Sequence, residues 1–459
     1  MATSVHIRRT GSQAAFTLVE LLIAATIALI VMGSLATLLG LFSRTASTGQ
    51  ALVDLGSKMR STASRLRQDL AGVTASLTPP LRPDSDAGYC EIIEGPLGDS
   101  KDASMNTLPA TAIGGDIDDV LLFTTRSGGA PFTGKFEWNT IQSPAAEVAW
   151  FCRAMTNQPV TGLTLYNLYR RQFLVLAYTG TGQFMANNSN SITTGGLGAF
   201  PVTGLVDACR FYDVSLRKEG GLLVPNTLGD LTRRESRFRH QAAFPHEFLS
   251  VEKTSPEDLP VSTFNDLKPL SGTISERDGD DVILENVISF DVRVFDENAV
   301  IQNVSSTPSP LTPDDPGYPF PVTISSGSGA YVNLGWSGNK PSAMTASFPP
   351  TAQTAFQSGG IECSNSGTNA TKLSLPTYDT WSTHYESNGL NENSAKDTLI
   401  DEGTNGIDDD VNGLVDDSGE RETSPPYPIT LRGLEVRIRC YEPTSRQIRQ
   451  VTIRHSFER

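Results

Sequence analysis

The run from Leu21 to Phe42 constrains this chain more than any other stretch, because twenty-two residues pass without a formal charge. As a helix rising ~1.5 Å per residue, it reaches ~33 Å, enough for the ~30 Å hydrocarbon core of a bilayer. At its head stands Glu20, the fifth residue counted from Phe16 and the one charge between Phe16 and Phe42. A carboxylate at the edge of such a run costs roughly 2.5 kcal/mol or more unless it finds a partner. A plain anchor has no use for that cost, whereas an assembly device has. Arg8 and Arg9 precede the run, and no acidic residue lies before Glu20. The first residues are therefore expected to stay in the cytoplasm and the C-terminal body to be exported. A cleaved secretory signal fits less well, since its apolar region is typically ~7–15 residues long.

The stretch Phe16-Thr17-Leu18-Val19-Glu20-Leu21-Leu22 resembles the class III signal of type IV pilins and type II secretion pseudopilins. The resemblance implies a leader of residues 1–15 and cleavage between Ala15 and Phe16 by a prepilin peptidase/N-methyltransferase. It implies methylation of Phe16 and pairing of Glu20 with the N-terminal amine of a neighbouring pilin-like subunit. The family usually places Gly before the cut. Here Ala15 holds that position, and Gly11 lies four residues earlier. An ammonium–carboxylate pair buried between subunits would relieve the Glu20 penalty only on assembly.

Beyond the membrane half (16–43), an apolar stripe recurs at Leu52, Leu55, Met59, Ala63, Leu66, Leu70 and Val73, one face of a helix. Lys58, Arg60, Arg65, Arg67 and Asp69 fall between those positions. The spacing predicts an amphipathic half over 44–78, ended by Thr78-Pro79-Pro80. The body, 79–459, turns to β texture. Asp118–Thr124, Val148–Arg153, Leu165–Tyr178 and Asp281–Asp296 read as strands. Leu434–Cys440 and Ile448–His455 read as a hairpin turning at Glu442–Ser445. Polar-out, apolar-in strands predict an antiparallel sheet with one wet face, its dry face covered by the helix stripe. The expected fold is α+β, a long N-terminal α-helix packed on an antiparallel β-sheet, with large irregular insertions at 180–204 and 305–382. The order of helix, DDVLLF, ENVISFDVRVFD and GLEVRIRCYEP is similar to that of large minor pseudopilins.

The formal net charge of −15 makes the chain a poor electrostatic match for nucleic acid. Five cysteines are widely spaced, with no Cys/His pattern for zinc. The acidic loop 397–420 holds nine acidic residues and no Lys or Arg. Within it Asp408, Asp410 and Asn412 precede Gly413 as in the first half of a calcium loop. Asp416 or Asp417 would close the site, since calcium takes six to eight oxygens. Calcium is thus the one candidate cofactor. Arg233–His240 is a basic cluster with one aromatic, expected either as a contact for an acidic partner or for nucleic acid, or as a surface face that offsets the acidic body. No nucleophile, metal-hydrolase or phosphate-loop pattern is present, so no enzymatic activity is expected.

These observations together predict a minor pilin-like subunit. It sits in the inner membrane by one span with its body periplasmic. It assembles with other pilin-like subunits into a secretion pseudopilus or a pilus, at low copy or at the tip. The alternative is a calcium-dependent surface binding protein held by an uncleaved signal anchor.

Overall fold

The computed structural model describes residues 17–77, 87–94, 115–136, 139–155, 157–175, 185–186, 212–219, 222–232, 236–237, 281–303, 310–313, 325–334, 361–363, 373–375, 377–380, 405–415 and 430–457, with single positions at 315, 318 and 399. The chain divides into two compact units, residues 1–56 and 57–459. One helix, α1 (Leu18–Ala71), gives residues 18–56 to the first unit and 57–71 to the second. The expected leader, 1–15, lies outside the described residues, as does most of 180–204.

In the second unit the order is β1 (Cys90–Ile93), β2 (Val120–Arg126), β3 (Phe132–Phe136), β4 (Asn139–Ser143), β5 (Ala145–Ala154) and β6 (Tyr166–Val175). Then come β7 (Met185–Ala186), β8 (Leu216–Glu219), β9 (Leu222–Pro225), a short helix α2 (Leu228–Thr232), β10 (Val282–Gln302) and β11 (Ser325–Val332). The order ends with β12 (Ile361–Cys363), β13 (Leu373–Leu375), β14 (Thr377–Asp379), β15 (Gly433–Glu442) and β16 (Gln447–Ser456). Nine strands form one antiparallel sheet in the order β14-β1-β2-β5-β6-β10-β15-β16, with β11 also on β10. The hairpin read from the sequence pairs Gly433 with Ser456 through to Glu442 with Gln447. Two of the sheet's strands, β11 and β14, come from within 305–382.

Strand β10 organises the sheet because it is 21 residues long. It meets β6 along Val282–Val287, β15 along Val287–Val294 and β11 along Val294–Gln302. Between its β6 and β11 partners, the segment leading into β2 takes over. Phe290 N donates to Asp116 O at 2.7 Å, and Gly115 N to Ile288 O at 3.2 Å.

The apolar stripe of α1 does what its period predicts within this unit: Met59, Ala63, Leu66 and Leu70 are buried. Asp69 departs from the prediction, being buried rather than set on the polar side. The Trp150 indole N–H donates to Asp69 Oδ2 at 3.2 Å, and Arg170 donates to both carboxylate oxygens at 2.6 and 2.8 Å. The helix ends hard against β2. Arg126 N donates to Gly72 O at 2.7 Å. A Cβ on Gly72 would stand 2.1 Å from the Arg126 carbonyl oxygen, so only glycine permits this approach.

The sheet has no wet face at its centre, which corrects the one-sided expectation. Strand β5 is buried from Ala145 through Arg153, on both faces. Successive side chains point to opposite faces. Trp150 turns to α1, and Phe151 turns to a second core with Val120, Leu122, Ala149, Phe173 and, from α2, Leu228 and Leu231. Alternation of polarity signals one exposed face only where nothing covers the other. Here residues 212–219 and 222–232, with Leu228 and Leu231 of α2 in the core, supply the second cover.

Candidate assembly site and its surroundings

The start of α1 is set by a reciprocal cap. Thr17 N and Thr17 Oγ1 both donate to Glu20 Oε2 at 2.9 Å, and Glu20 N donates to Thr17 Oγ1 at 3.2 Å. This is the Thr-x-x-Glu capping box, in which the two side chains satisfy donors that a helix N-terminus leaves orphaned. The sequence carries that signal in Thr17-Leu18-Val19-Glu20, where the apolar run that follows masks it. A carboxylate in the first turn is also favoured by the helix dipole.

Behind the cap, the apolar run lies open. Leu21 is 66% exposed and Phe42 71% exposed. Among the described residues this is the one helix long and apolar enough to cross a membrane. Its few polar side chains are satisfied from within, as a lipid environment requires. Thr26 Oγ1 donates to Ile23 O at 2.8 Å, Ser34 Oγ to Val31 O at 2.9 Å and Thr37 Oγ1 to Ser34 O at 2.7 Å. Glu20 is then the only ionisable group of the run. Leaving such side chains in water costs roughly 1.5–3 kcal/mol each, so the surface calls for lipid or for other helices. Ala15 and Phe16, the expected processing residues, lie outside the described residues.

The structure brings Asp408, Asp410 and Asn412 onto one tight turn of the acidic loop. Asn412 N donates to Asp408 Oδ1 and to Asp410 Oδ1, both at 3.0 Å, and Gly413 N donates to Asp408 Oδ2 at 2.8 Å. Leu414 N donates to Asn412 Oδ1 at 2.8 Å. Positive φ at Gly406 (80°) and Gly413 (93°) explains glycine at both places. Asp416 and Asp417 lie outside the described residues.

The basic cluster Arg233–His240 is corrected at its centre, Arg237. Its guanidinium is fully buried against Glu91 and Asp379, whose backbones face each other across β1 and β14. Nη1 lies 3.1 Å from Glu91 Oε2 and 2.9 Å from Asp379 Oδ2. Nε donates to Leu231 O at 3.0 Å, and the group stacks 4.0 Å from the Tyr89 ring centroid. Arg171 is likewise internal, 2.6 Å from Asp213 Oδ1. Neighbouring polar groups follow the same rule: Glu147 accepts from Tyr89 OH at 2.7 Å and Ser215 Oγ at 2.6 Å. Burial, with the Glu147 charge beside it, pushes the Tyr89 hydroxyl well above its ordinary value. Cys90, Cys152 and Cys440 are free, buried thiols.

Residues 11–36 match the family described as the prokaryotic N-terminal methylation motif. The chain carries the class III prepilin signal of type IV pilin-like proteins, and that signal spans Ala15, Phe16, Glu20 and the apolar run as far as Ala36. No curated protein and no solved structure matches the chain.

Proposed function

We propose that this chain is a minor pilin-like subunit that works by assembly and not by catalysis. The apolar half of α1 holds it in the inner membrane with the body on the periplasmic side. Prepilin peptidase removes residues 1–15 and methylates Phe16. Glu20 then pairs with the Phe16 amine of a neighbouring subunit as the helices pack laterally. One observation carries the reading: a single carboxylate, within a prepilin signal, heads the uncharged and uncovered run Leu21–Phe42 of α1. The large body argues for a low-copy or tip position, because each repeat of a helical fibre must clear its neighbours.

Replacement Glu20→Ala tests this. Membrane insertion and processing are expected to persist, while crosslinking to other pilin-like subunits and recovery in sheared fibres are lost. Assembly at wild-type levels would remove the role given to Glu20. Mass spectrometry of the membrane-extracted protein should find N-methylated Phe16 as its first residue. A chain still starting at Met1 would turn the reading to a tethered surface protein.

A further inference from the structure

Three buried carboxylates converge where four segments of the sheet meet. Glu94 follows β1, Asp116 and Asp119 lie in the segment entering β2, and the site is bordered by β10 and by the end of β11. Glu94, Asp116 and Asp119 are each 1% exposed or less. One oxygen from each lies within 4.8 Å of the other two. Oxygens bound to one calcium ion at about 2.3–2.6 Å stand at most about 4.6–5.2 Å apart, so this spacing matches a shared ion.

The chain sends donors to part of this oxygen set. Val292 N donates to Asp119 Oδ2 at 2.6 Å, Leu334 N to Glu94 Oε2 at 3.2 Å and Asn333 Nδ2 to Asp116 Oδ2 at 3.3 Å. Oδ1 of Asp116 is different. It is buried and accepts no hydrogen bond among the described residues. An orphaned carboxylate oxygen in a sealed site is costly, and a cation is the ligand that removes the cost. We propose that Glu94, Asp116 and Asp119 form a divalent-cation site inside the body, with calcium as the ion its all-oxygen chemistry favours.

The electrostatics agree with the geometry. Burial first, then the charges of Asp119, Glu94, Asp118 and Asp291, push the Asp116 carboxyl well above its ordinary range. An ion reverses that balance, since a bound cation is the largest local charge in such a site. It would also tie the end of β1, the entry to β2 and the end of β11 to the middle of β10. The site is independent of the prepilin reading, because it lies wholly within the second unit.

The test uses the full-length chain in detergent micelles, stripped with chelator and titrated with calcium chloride by calorimetry. Binding at or below millimolar calcium is expected, weakened at least ~10-fold by Asp116→Asn and kept by Asp408→Asn/Asp410→Asn in the exposed loop. Calcium should also raise the melting temperature of the wild type by a few degrees. That rise should survive the exposed-loop double variant, a readout that needs no core substitution should Asp116→Asn fail to fold. No heat and no thermal shift at millimolar calcium would overturn the site and leave a proton-sharing carboxyl cluster. Binding that vanishes in the exposed-loop variant would also overturn it, assigning calcium to residues 408–412.

Discussion

Glu20 and Asp69 sit on the same helix, and their carboxylates are treated in opposite ways. Asp69 is sealed under the sheet and receives Arg170, Trp150 and an approach from Arg65 at 3.6 Å, all from its own chain. Among the described residues Glu20 receives only Thr17, its capping partner, and the apolar side chains that follow it are exposed. Outside the cluster of Glu94, Asp116 and Asp119, the body pairs several of its buried charges internally: Arg237 with Glu91 and Asp379, Arg171 with Asp213, Arg293 with Asp291. A buried ion is tolerable only with a partner at hand. The contrast teaches that one helix can hold a carboxylate whose partners its own body supplies and another that meets only its cap, which is where the proposed assembly role of Glu20 has its opening.

The comparison breaks most visibly at Arg237. Arg237→Met strips the guanidinium from Glu91 and Asp379, both buried. Removing one side of such a cluster typically costs about 3–5 kcal/mol. Urea unfolding of the full chain in detergent should show that loss, and a loss under about 1 kcal/mol would mean the interior does not depend on the pairing. Asp69→Ala should cost less, about 2–4 kcal/mol, because Arg170 Nη1 retains Gln172 Oε1 at 3.0 Å. Gly72→Ala comes next. Its Cβ would meet the Arg126 carbonyl oxygen at 2.1 Å, and forced overpacking of this kind costs about 1–3 kcal/mol. A melting curve identical to wild type would show that the helix end shifts freely off β2.

Much of this arrangement was legible in residue spacing. The stripe from Met59 to Leu70, the strands β2, β5, β6 and β10, and the β15–β16 hairpin all follow from local period. So does the cap Thr17-x-x-Glu20. What spacing could not convey is pairing over distance. The run Arg233–His240 reads as a charged surface, but Arg237 finds Glu91 and Asp379 far away in sequence and folds inward. Asp69 reads as a solvated helix position until Arg170 arrives from β6. The second cover of the sheet comes from 212–219 and 222–232, whose short strands and five-residue helix carry little periodic signal. The cluster of Glu94, Asp116 and Asp119 is scattered in the same way, brought together only because β10 leaves a gap between β6 and β11.

An ion pair with one exposed partner provides the smaller contrast. Arg454 Nε lies 2.6 Å from Glu435 Oε2, but the arginine side chain is 66% exposed. Arg437 also reaches Glu435, with Nε at 2.5 Å from Oε1. Glu435 itself is buried, but Arg437 keeps it paired in Arg454→Ala, so the loss should stay near that of one charged hydrogen bond, about 1.5 kcal/mol, below the loss from Arg237→Met. A loss as large as that from Arg237→Met would erase the distinction between a carboxylate with a second arginine in reach and one that depends on a single buried guanidinium.

The smallest effect on the body is expected at Glu20, and there it sharpens the comparison most. Glu20→Gln keeps an oxygen that can accept from Thr17 N and Thr17 Oγ1, so the capping box survives in neutral form. The thermal unfolding of the body should match wild type within error, since Glu20 belongs to the other unit. What the glutamine cannot do is neutralise an ammonium group from a neighbouring subunit. Assembly should therefore fall in Glu20→Gln as far as in Glu20→Ala, whereas a purely capping role would be rescued by the glutamine. Crosslinking yields of the two variants, compared side by side, separate the local job of this carboxylate from the intermolecular one.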